Sequence, residues 1–452
     1  MRRKYNLTYQ LPILLTVFYL VCTLILYEIG PLDWITYNPV YFWFLQIAYI
    51  VMLVLGWQTG IKKTYISKPE WTVRQDKKVI KTLKVLLKIN LLYESVNLFR
   101  KFNMSSFDIS GLIKNILFGF SHMGEAYNSL QDSIGAVEGG QVVGSSVMTL
   151  FNYIWEFAAF AVVLLGGYYF KKLKTFDKII YILTCIIILI AYISTGTNIG
   201  VFRLILAVLV FGSMKVIQGK YMFSYNKWKK RKKLILCVAI ILAVIMTVLF
   251  DKIMKSRGGI LLWDTSYYNI GGIGVDKDSV LFKIVSPRLY MLLVSATSYL
   301  TQGYYGMSLC LRVNWMPTFG VGHSMFAVKM LSEYVSDMIQ LRTYQNRIAV
   351  FGWEEDVRWH SIYTWFANDI SFIGVIAVMF LIGYFFAMAY KDSLQTNNPF
   401  AYVMVYFFTL MVFFFPCNNQ IFQSSYTLFS FWTVFILWLC TRGRKKFKIR
   451  RR

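Results

Sequence analysis

The chain has 452 residues, of which 57% are hydrophobic and only 15% are charged, whereas charged residues make up about 25% of an average soluble domain. Several apolar runs reach roughly the 20 residues that cross a bilayer, so this composition excludes an ordinary soluble protein. The net charge of +26 does not indicate nucleic-acid binding, because the basic clusters flank apolar runs as they do in cytoplasmic loops.

Hydropathy predicts an all-α polytopic membrane protein, with about ten transmembrane helices in a single integral membrane domain that covers residues 1–452. In chain order, these helices span residues 11–29, 40–57, 83–99, 145–170, 178–194, 198–217, 234–250, 371–390, 400–415 and 424–440. The first run is long and lacks a small-residue cleavage site, so we interpret it as a membrane helix and not as a cleavable signal peptide.

The distribution of basic residues predicts which side of the membrane each connection occupies. Lysine and arginine are concentrated in both termini and in the segments that join alternate helices, and the positive-inside rule assigns these to the cytoplasm. The third helix, 83–99, is interrupted by Lys84, Lys88 and Glu94. We keep it in the prediction because, without it, the basic segments would fall on opposite faces.

Two predicted outer segments are long. Residues 100–143 are rich in Gly, Ser and Asn, and residues 251–370 form one large periplasmic loop between the seventh and eighth helices. Loops of this length in compact proteins are usually functional. Within the larger one, two stretches look helical: "PRLYMLLVSATSYLTQGYYG" and "HSMFAVKMLSEYVSDMIQLR".

Two histidines and one aspartate in the outer segments are candidates for a catalytic base. A helix around His360 would place the Asp356 carboxylate on the same face, where it could orient an imidazole that accepts a proton; the alternative is a surface histidine. His323, in "TFGVGHSMF", lies near a predicted helix start, which fits a cap or an anion site. Asp369, where the eighth helix should begin, is a candidate base or an N-cap.

Arg203 interrupts the apolar sequence "STGTNIGVFRLILAVLVFG". A guanidinium keeps its charge in any protein environment, and a charge in hydrocarbon is costly. Arg203 could pair with Glu156, extend to the headgroups, or bind phosphate oxygens with two parallel hydrogen bonds. Arg288, which precedes another apolar stretch, is a second candidate phosphate ligand.

Aromatic residues are dense in the large outer segment. Sugar rings pack their C–H faces on aromatic rings, so four residues are candidate sugar contacts: Trp359, Tyr363, Tyr304 and Tyr305. The alternative is a belt of aromatic side chains at the membrane interface. The sequence contains no nucleotide-binding loop, HExxH motif or paired-cysteine metal site, so it predicts no cofactor and no bound metal.

The motifs "YLTQGYYGMSLCL…MPTFGVGHS" and "WHSIYTWFANDISFIG", together with "STGTNIGVFR", resemble those of Wzy-type O-antigen polymerases. The resemblance covers most of the chain in architecture and residues 191–210 and 285–375 in local sequence. It implies the C-type glycosyltransferase superfold. It also implies a metal-independent reaction in which a glycan on undecaprenyl diphosphate is transferred to a new lipid-linked repeat unit.

The same resemblance assigns roles to the candidate residues. Arg203 and Arg288 would bind the diphosphate, and His360, His323 or Asp369 would accept the proton of the acceptor hydroxyl. The expected location is the bacterial inner membrane, with both termini cytoplasmic. The expected partners are undecaprenyl-diphosphate-linked oligosaccharides, membrane lipid and a chain-length regulator protein, with no nucleic acid.

Two other functions remain open at this point. An O-antigen ligase has the same superfold and differs in its acceptor. A flippase or other transporter of the lipid-linked unit belongs to another class, and such transporters usually show repeated halves and short loops. This chain has one very long outer segment and no apparent internal repeat, which favours the polymerase.

Overall fold

The computed structural model describes residues 2–62, 71–102, 104, 107–138, 151, 154–222, 225–258, 273–275, 283–355 and 358–442. Within these ranges, the side chains of residues 2–7, 131–138, 219–222, 225–228, 254–255, 257–258 and 287–288 lie outside the description. The described part is helical and contains no β-strand, with one isolated bridge between Leu32 and Val275.

In the described ranges, nine helices precede the large outer segment or lead into it: α1 (Arg2–Ile29), α2 (Pro39–Lys62), α3 (Val73–Lys101), α4 (Ile109–Ser121), α5 (Met123–Glu138), α6 (Ala159–Tyr169), α7 (Thr175–Ile193), α8 (Ile199–Met222) and α9 (Tyr225–Gly258). Seven more follow in the described residues: α10 (Pro287–Cys310), α11 (Met325–Tyr334), α12 (Met338–Arg342), α13 (Tyr344–Arg347), α14 (Ile362–Thr396), α15 (Pro399–Phe414) and α16 (Ser425–Thr441).

Seven helical segments of the described chain are long and apolar enough to cross a membrane: Thr8–Ile29, Pro39–Lys62, Ile154–Lys172, Thr175–Ile193, Ile199–Gln218, Lys229–Ile253 and Ile362–Thr396. Each coincides with a predicted helix, which confirms the prediction of a helical multi-pass membrane protein. The predicted number of ten is not confirmed, because α15 and α16 are shorter apolar helices and the third predicted helix is too polar to qualify.

That third predicted helix, 83–99, lies within α3, where polar partners satisfy its charged residues. Lys84 pairs with Asp177 of α7 at 3.6 Å. The Glu94 carboxylate accepts a hydrogen bond from the Tyr426 hydroxyl at 3.0 Å. The helix therefore forms as expected, with Lys84 paired to a carboxylate and Glu94 hydrogen-bonded to a neighbouring helix.

The predicted cytoplasmic segments meet at one end of the bundle, which we call the basic end. Here the end of α14 is hydrogen-bonded to four other segments of the chain. The bonded pairs are Tyr390 with Thr8, Lys391 with Ile61, Ser393 with Gln218 and Thr396 with Trp71. The opposite end, which we call the site end, contains residues 195–203, 311–324, 358–371 and 415–424. The orientation of the two ends across a membrane stays a prediction.

The large outer segment contributes part of the protein interior. Its helix α10 confirms the first helical-looking stretch, and α11 and α12 divide the second one between them. Gly303 of α10 lies against two other elements of the site end: a Cβ there would be 2.4 Å from the Pro416 carbonyl oxygen and 2.7 Å from the Ser361 nitrogen. The segment is therefore packed into the bundle at this point.

Glycines bring the backbones of α2 and α14 into direct contact. A Cβ at Gly56 would lie 2.0 Å from the Phe380 carbonyl oxygen, and one at Gly383 would lie 2.1 Å from the Leu53 carbonyl oxygen. Gly60, one turn after Gly56, makes a similar approach to Tyr384. Membrane helices commonly associate through small residues spaced four apart, because these let the backbones approach closely.

Helix α14 is broken at Ser371, whose φ of 61° and ψ of 165° are non-helical. This region is essentially restricted to glycine, and other residues there cost about 1–3 kcal/mol. Tyr49 of α2 donates a hydrogen bond of 2.8 Å to the Phe372 carbonyl, immediately after the break. The break separates a short buried segment, 362–370, from the long apolar one that follows.

We expect Gly383→Ala to destabilise the protein, because its Cβ would collide with the α2 backbone. Overpacking in a well-packed interior typically costs about 1–3 kcal/mol, and backbone atoms cannot move aside as side chains do. The matched control is Gly212→Ala in α8, whose nearest neighbour is the flexible end of Ile235 at 2.6 Å. Thermal unfolding in detergent should show a lower Tm for the first variant alone; equal Tm values would contradict the close α2–α14 contact.

Candidate functional site

The carboxylate of Asp369 is surrounded by five hydrogen-bond donors from one loop. Its Oδ1 accepts from the Thr318 hydroxyl at 2.6 Å and from the Gly320 and Gly322 amides, both at 2.9 Å. Its Oδ2 accepts from the His323 amide and from His323 Nδ1, both at 3.0 Å. Hydrogen bonds to a charged acceptor are roughly twice as strong as neutral ones, so this carboxylate fixes the shape of the loop.

The shape of this loop requires glycine at two positions and an unfavourable backbone conformation at a third. Gly322 has no room for a side chain, because a Cβ would lie 2.0 Å from the Thr318 hydroxyl oxygen. Gly320 has a φ of +88°, which glycine adopts without penalty. Phe319 has a φ of +56°, and a non-glycine residue in this left-handed region costs about 1–3 kcal/mol. The bonds to Asp369 offset this strain.

Asn368, which precedes Asp369 in the chain, is hydrogen-bonded to the same loop and is fully buried. Its Nδ2 donates to the Gly322 carbonyl and to Gln345 Oε1, both at 2.9 Å, while its Oδ1 accepts from the Tyr344 amide at 2.8 Å. A buried amide with every one of these bonds made is a rigid support. Asn368 and Asp369 together therefore anchor the loop to the first segment of α14.

His323 is positioned for proton transfer. Nδ1 faces Asp369, and the ring packs near Phe366 and Phe422, with centroid distances of 6.3 and 5.3 Å. A quarter of the side chain is exposed, at 26%. A carboxylate on Nδ1 favours the tautomer with its proton there, which leaves Nε2 as an acceptor. Within the described residues Nε2 has no hydrogen-bond partner, so it is free to accept a proton from a ligand.

The structure thus brings together two residues that the sequence offered as separate candidates. The interpretation of Asp369 as the N-cap of the eighth helix is wrong, because α14 begins at Ile362 and its N-cap is Ser361. The expected helix start beside His323 is confirmed, since α11 begins at Met325. Sequence spacing could not pair these residues, because 46 positions separate them.

Arg203 lies near the start of α8 and is buried, with 6% exposure. Its Nη2 donates to the side-chain oxygen of Gln420 at 3.2 Å and to the Gln420 carbonyl at 3.5 Å, and its Nε has no partner in the described residues. The considered pairing with Glu156 is not observed, since Glu156 accepts from Tyr93 at 3.5 Å instead. A buried guanidinium without an anionic partner is a suitable site for an anion.

The connection between α15 and α16, residues 415–424, links Arg203 to His323. Asn419 Nδ2 donates to the His323 carbonyl at 2.7 Å, and the next residue, Gln420, is the partner of Arg203. Asn419 Oδ1 accepts from the Phe422 amide at 3.1 Å, which fixes the turn. The sequence analysis did not single out these residues, although a polar "NNQ" between two apolar helices was an available signal.

His360 occupies a different environment. It is 1% exposed, and neither ring nitrogen has a hydrogen-bond partner in the described residues. Burial lowers the pKa of His360 to about 3, so the ring is neutral. This contradicts the alternative of a surface histidine. Its proposed orienting residue, Asp356, lies outside the described residues. The site is therefore centred on His323.

The remaining candidates have the following places. Tyr304, Tyr305 and Tyr363 are buried, at 0%, 4% and 1% exposure, and they pack on other aromatic rings, Tyr363 stacking on Tyr49 at 4.7 Å. Their rings therefore support the core and are not presented to a sugar. Trp359 is half-buried against Tyr299. The side chain of Arg288 lies outside the described residues.

Within the described ranges, no three His, Cys, Asp or Glu side chains are grouped as they would be to hold a metal ion. The site therefore consists of the His323–Asp369 pair, the buried Arg203 and the 415–424 connection. No family model, no curated protein and no solved structure matches the chain.

Proposed function

We propose that the protein is a glycosyltransferase of the bacterial inner membrane that joins undecaprenyl-diphosphate-linked oligosaccharide repeat units into O-antigen polysaccharide. The observation that carries the proposal is the link between a positioned histidine and an uncompensated buried arginine through the consecutive residues Asn419 and Gln420. The motif resemblance to Wzy-type polymerases supports the same reaction. Further proposed partners are membrane lipid and a chain-length regulator protein.

In the proposed mechanism, His323 is the general base. Its Nε2 takes the proton from the attacking hydroxyl of the acceptor sugar, while the hydroxyl oxygen bonds to the anomeric carbon of the donor. Asp369 keeps the opposite nitrogen protonated and stabilises the imidazolium that forms, as a carboxylate does for histidine in other enzymes.

The leaving group in this mechanism is undecaprenyl diphosphate. The bond between the anomeric carbon and the diphosphate oxygen breaks, and the electron pair stays on the diphosphate. Arg203 would stabilise the charge that develops there, more strongly in the transition state than in the bound substrate. The diphosphate carries the activation of the donor, so this scheme needs no nucleotide at the site.

The first test concerns the base. We expect His323→Ala to lower the turnover of a purified lipid-linked repeat unit by about 10²–10⁴-fold, the usual contribution of a positioned base, with normal membrane insertion. His122→Ala is the control, because His122 is exposed and its only side-chain hydrogen bond among described residues joins Nδ1 to the neighbouring Ser121 hydroxyl. Normal turnover by the His323 variant would disprove the assignment.

His360 provides a second comparison. Its neutral, enclosed ring predicts that His360→Ala lowers Tm by creating a cavity, while the rate per folded molecule stays near that of the wild type. A large loss of rate in a protein with unchanged Tm would transfer the role of base to His360.

The second test concerns Arg203. Lysine has the same charge but lacks the planar fork of donors. We expect Arg203→Lys to be strongly impaired and Arg203→Ala to lose about a hundredfold or more in rate, which corresponds to roughly 3 kcal/mol of transition-state stabilisation. Both variants should express normally. Near-normal turnover by the alanine variant would show that Arg203 only holds the 415–424 connection through Gln420.

The banding of lipopolysaccharide from a strain that lacks the protein tests the function itself. A single repeat unit on the core is the result expected for a polymerase. A core without any repeat unit would indicate a ligase or a flippase, and an unchanged ladder would contradict all three functions. In vitro elongation of the lipid-linked unit by the purified protein then separates a polymerase from every transporter.

A further inference from the structure

Phe319 combines exposure with an unfavourable backbone. Its phenyl ring is 72% exposed and its φ is +56°. A bulky residue in the left-handed region is a true outlier, and such strain concentrates at functional sites. Phe319 lies between Thr318 and Gly320, which both bond Asp369 Oδ1. The strained backbone at Phe319 is therefore held by the same carboxylate that contacts the proposed base.

Among the described residues, Arg342 lies close to the Phe319 ring. The guanidinium carbon of Arg342 lies 5.2 Å from the ring centroid, and its Nη1 donates to the Pro317 carbonyl at 3.4 Å. Phe319 belongs to none of the hydrophobic clusters formed by the described residues. The protein core therefore does not use the ring, while the Arg342 guanidinium lies over one face of it and restricts its position.

We propose that Phe319 and Arg342 form a binding platform for a sugar ring of the acceptor glycan, next to His323. The phenyl face would pack against the C–H face of the sugar, and the guanidinium would donate to its hydroxyl or carboxylate oxygens. This inference rests on the proposed function, because it assigns the acceptor side of that same site. Phe319 was not among the sequence candidates for sugar contact.

A membrane anchor is the competing explanation. Trp315 and Met316 on the same loop are 43% and 46% exposed, and aromatic residues are frequent at membrane interfaces. The geometry favours the sugar. The Asp369 carboxylate that shapes the Phe319 backbone also orients His323, so the backbone that carries the ring is held relative to the base. An anchor needs no such coupling and no strained backbone.

The experiment uses the full-length protein in lipid nanodiscs and needs no turnover. The probe is the repeat-unit oligosaccharide of the source cells, released from its lipid carrier by mild acid, and its affinity is measured by calorimetry. We expect Phe319→Gly to raise Kd about tenfold, equivalent to 1.4 kcal/mol, and Phe319→Tyr to keep the wild-type value. Arg342→Ala should also weaken binding. Phe107→Gly, which removes a ring that is 65% exposed on another outer segment, should bind normally.

Thermal unfolding separates this role from a structural one. Glycine relieves the strain at positive φ, so Phe319→Gly should have the same Tm as the wild type or a higher one while its affinity falls. Wild-type affinity in this variant overturns the platform. If the Tm of the variant is also lower, the result indicates an anchor. Oligosaccharide binding without transfer by the wild type would refute the proposed function and leave the platform. A wild type that binds no oligosaccharide would refute the platform, whatever its transfer activity.

Discussion

The direct backbone contact between α2 and α14 is the constraint on which the candidate site depends. Because Gly56 and Gly383 leave no space between the two helices, α14 has a fixed depth and rotation in the bundle. Tyr49, also on α2, bonds the carbonyl of Phe372 just after the break in α14. Asp369 lies three residues before that carbonyl, so the same contact that fixes the membrane helix also fixes the carboxylate around which the 318–323 loop folds.

The two charged residues Asp369 and Arg203 have opposite surroundings. The Asp369 carboxylate receives five donors, which stabilise its charge without any bound ligand. The Arg203 guanidinium contacts neutral groups of Gln420, which solvate a cation less well than an anion does. The protein therefore supplies the partners of Asp369 itself and leaves the cationic position incomplete. This asymmetry fits the proposed function, in which an anionic diphosphate binds at Arg203.

The sequence predicted the elements much better than the contacts between them. Apolar runs located seven spanning helices because length and hydropathy are local properties, and the distribution of lysine and arginine anticipated which helix ends meet. It identified His323, Asp369 and Arg203 individually, since each is unusual in its local context. It could not pair His323 with Asp369, because 46 positions of the chain separate them. Phe319 was missed because neighbouring residues do not reveal its φ or its exposure.

The 415–424 connection joins the two parts of the candidate site through adjacent residues. Gln420 bonds Nη2 of Arg203, while Arg203 Nε has no partner in the described residues. Asn419, its neighbour in the chain, holds the carbonyl of His323. A shift of this short connection would therefore disturb the contacts of both residues, so Arg203 and His323 are mechanically coupled.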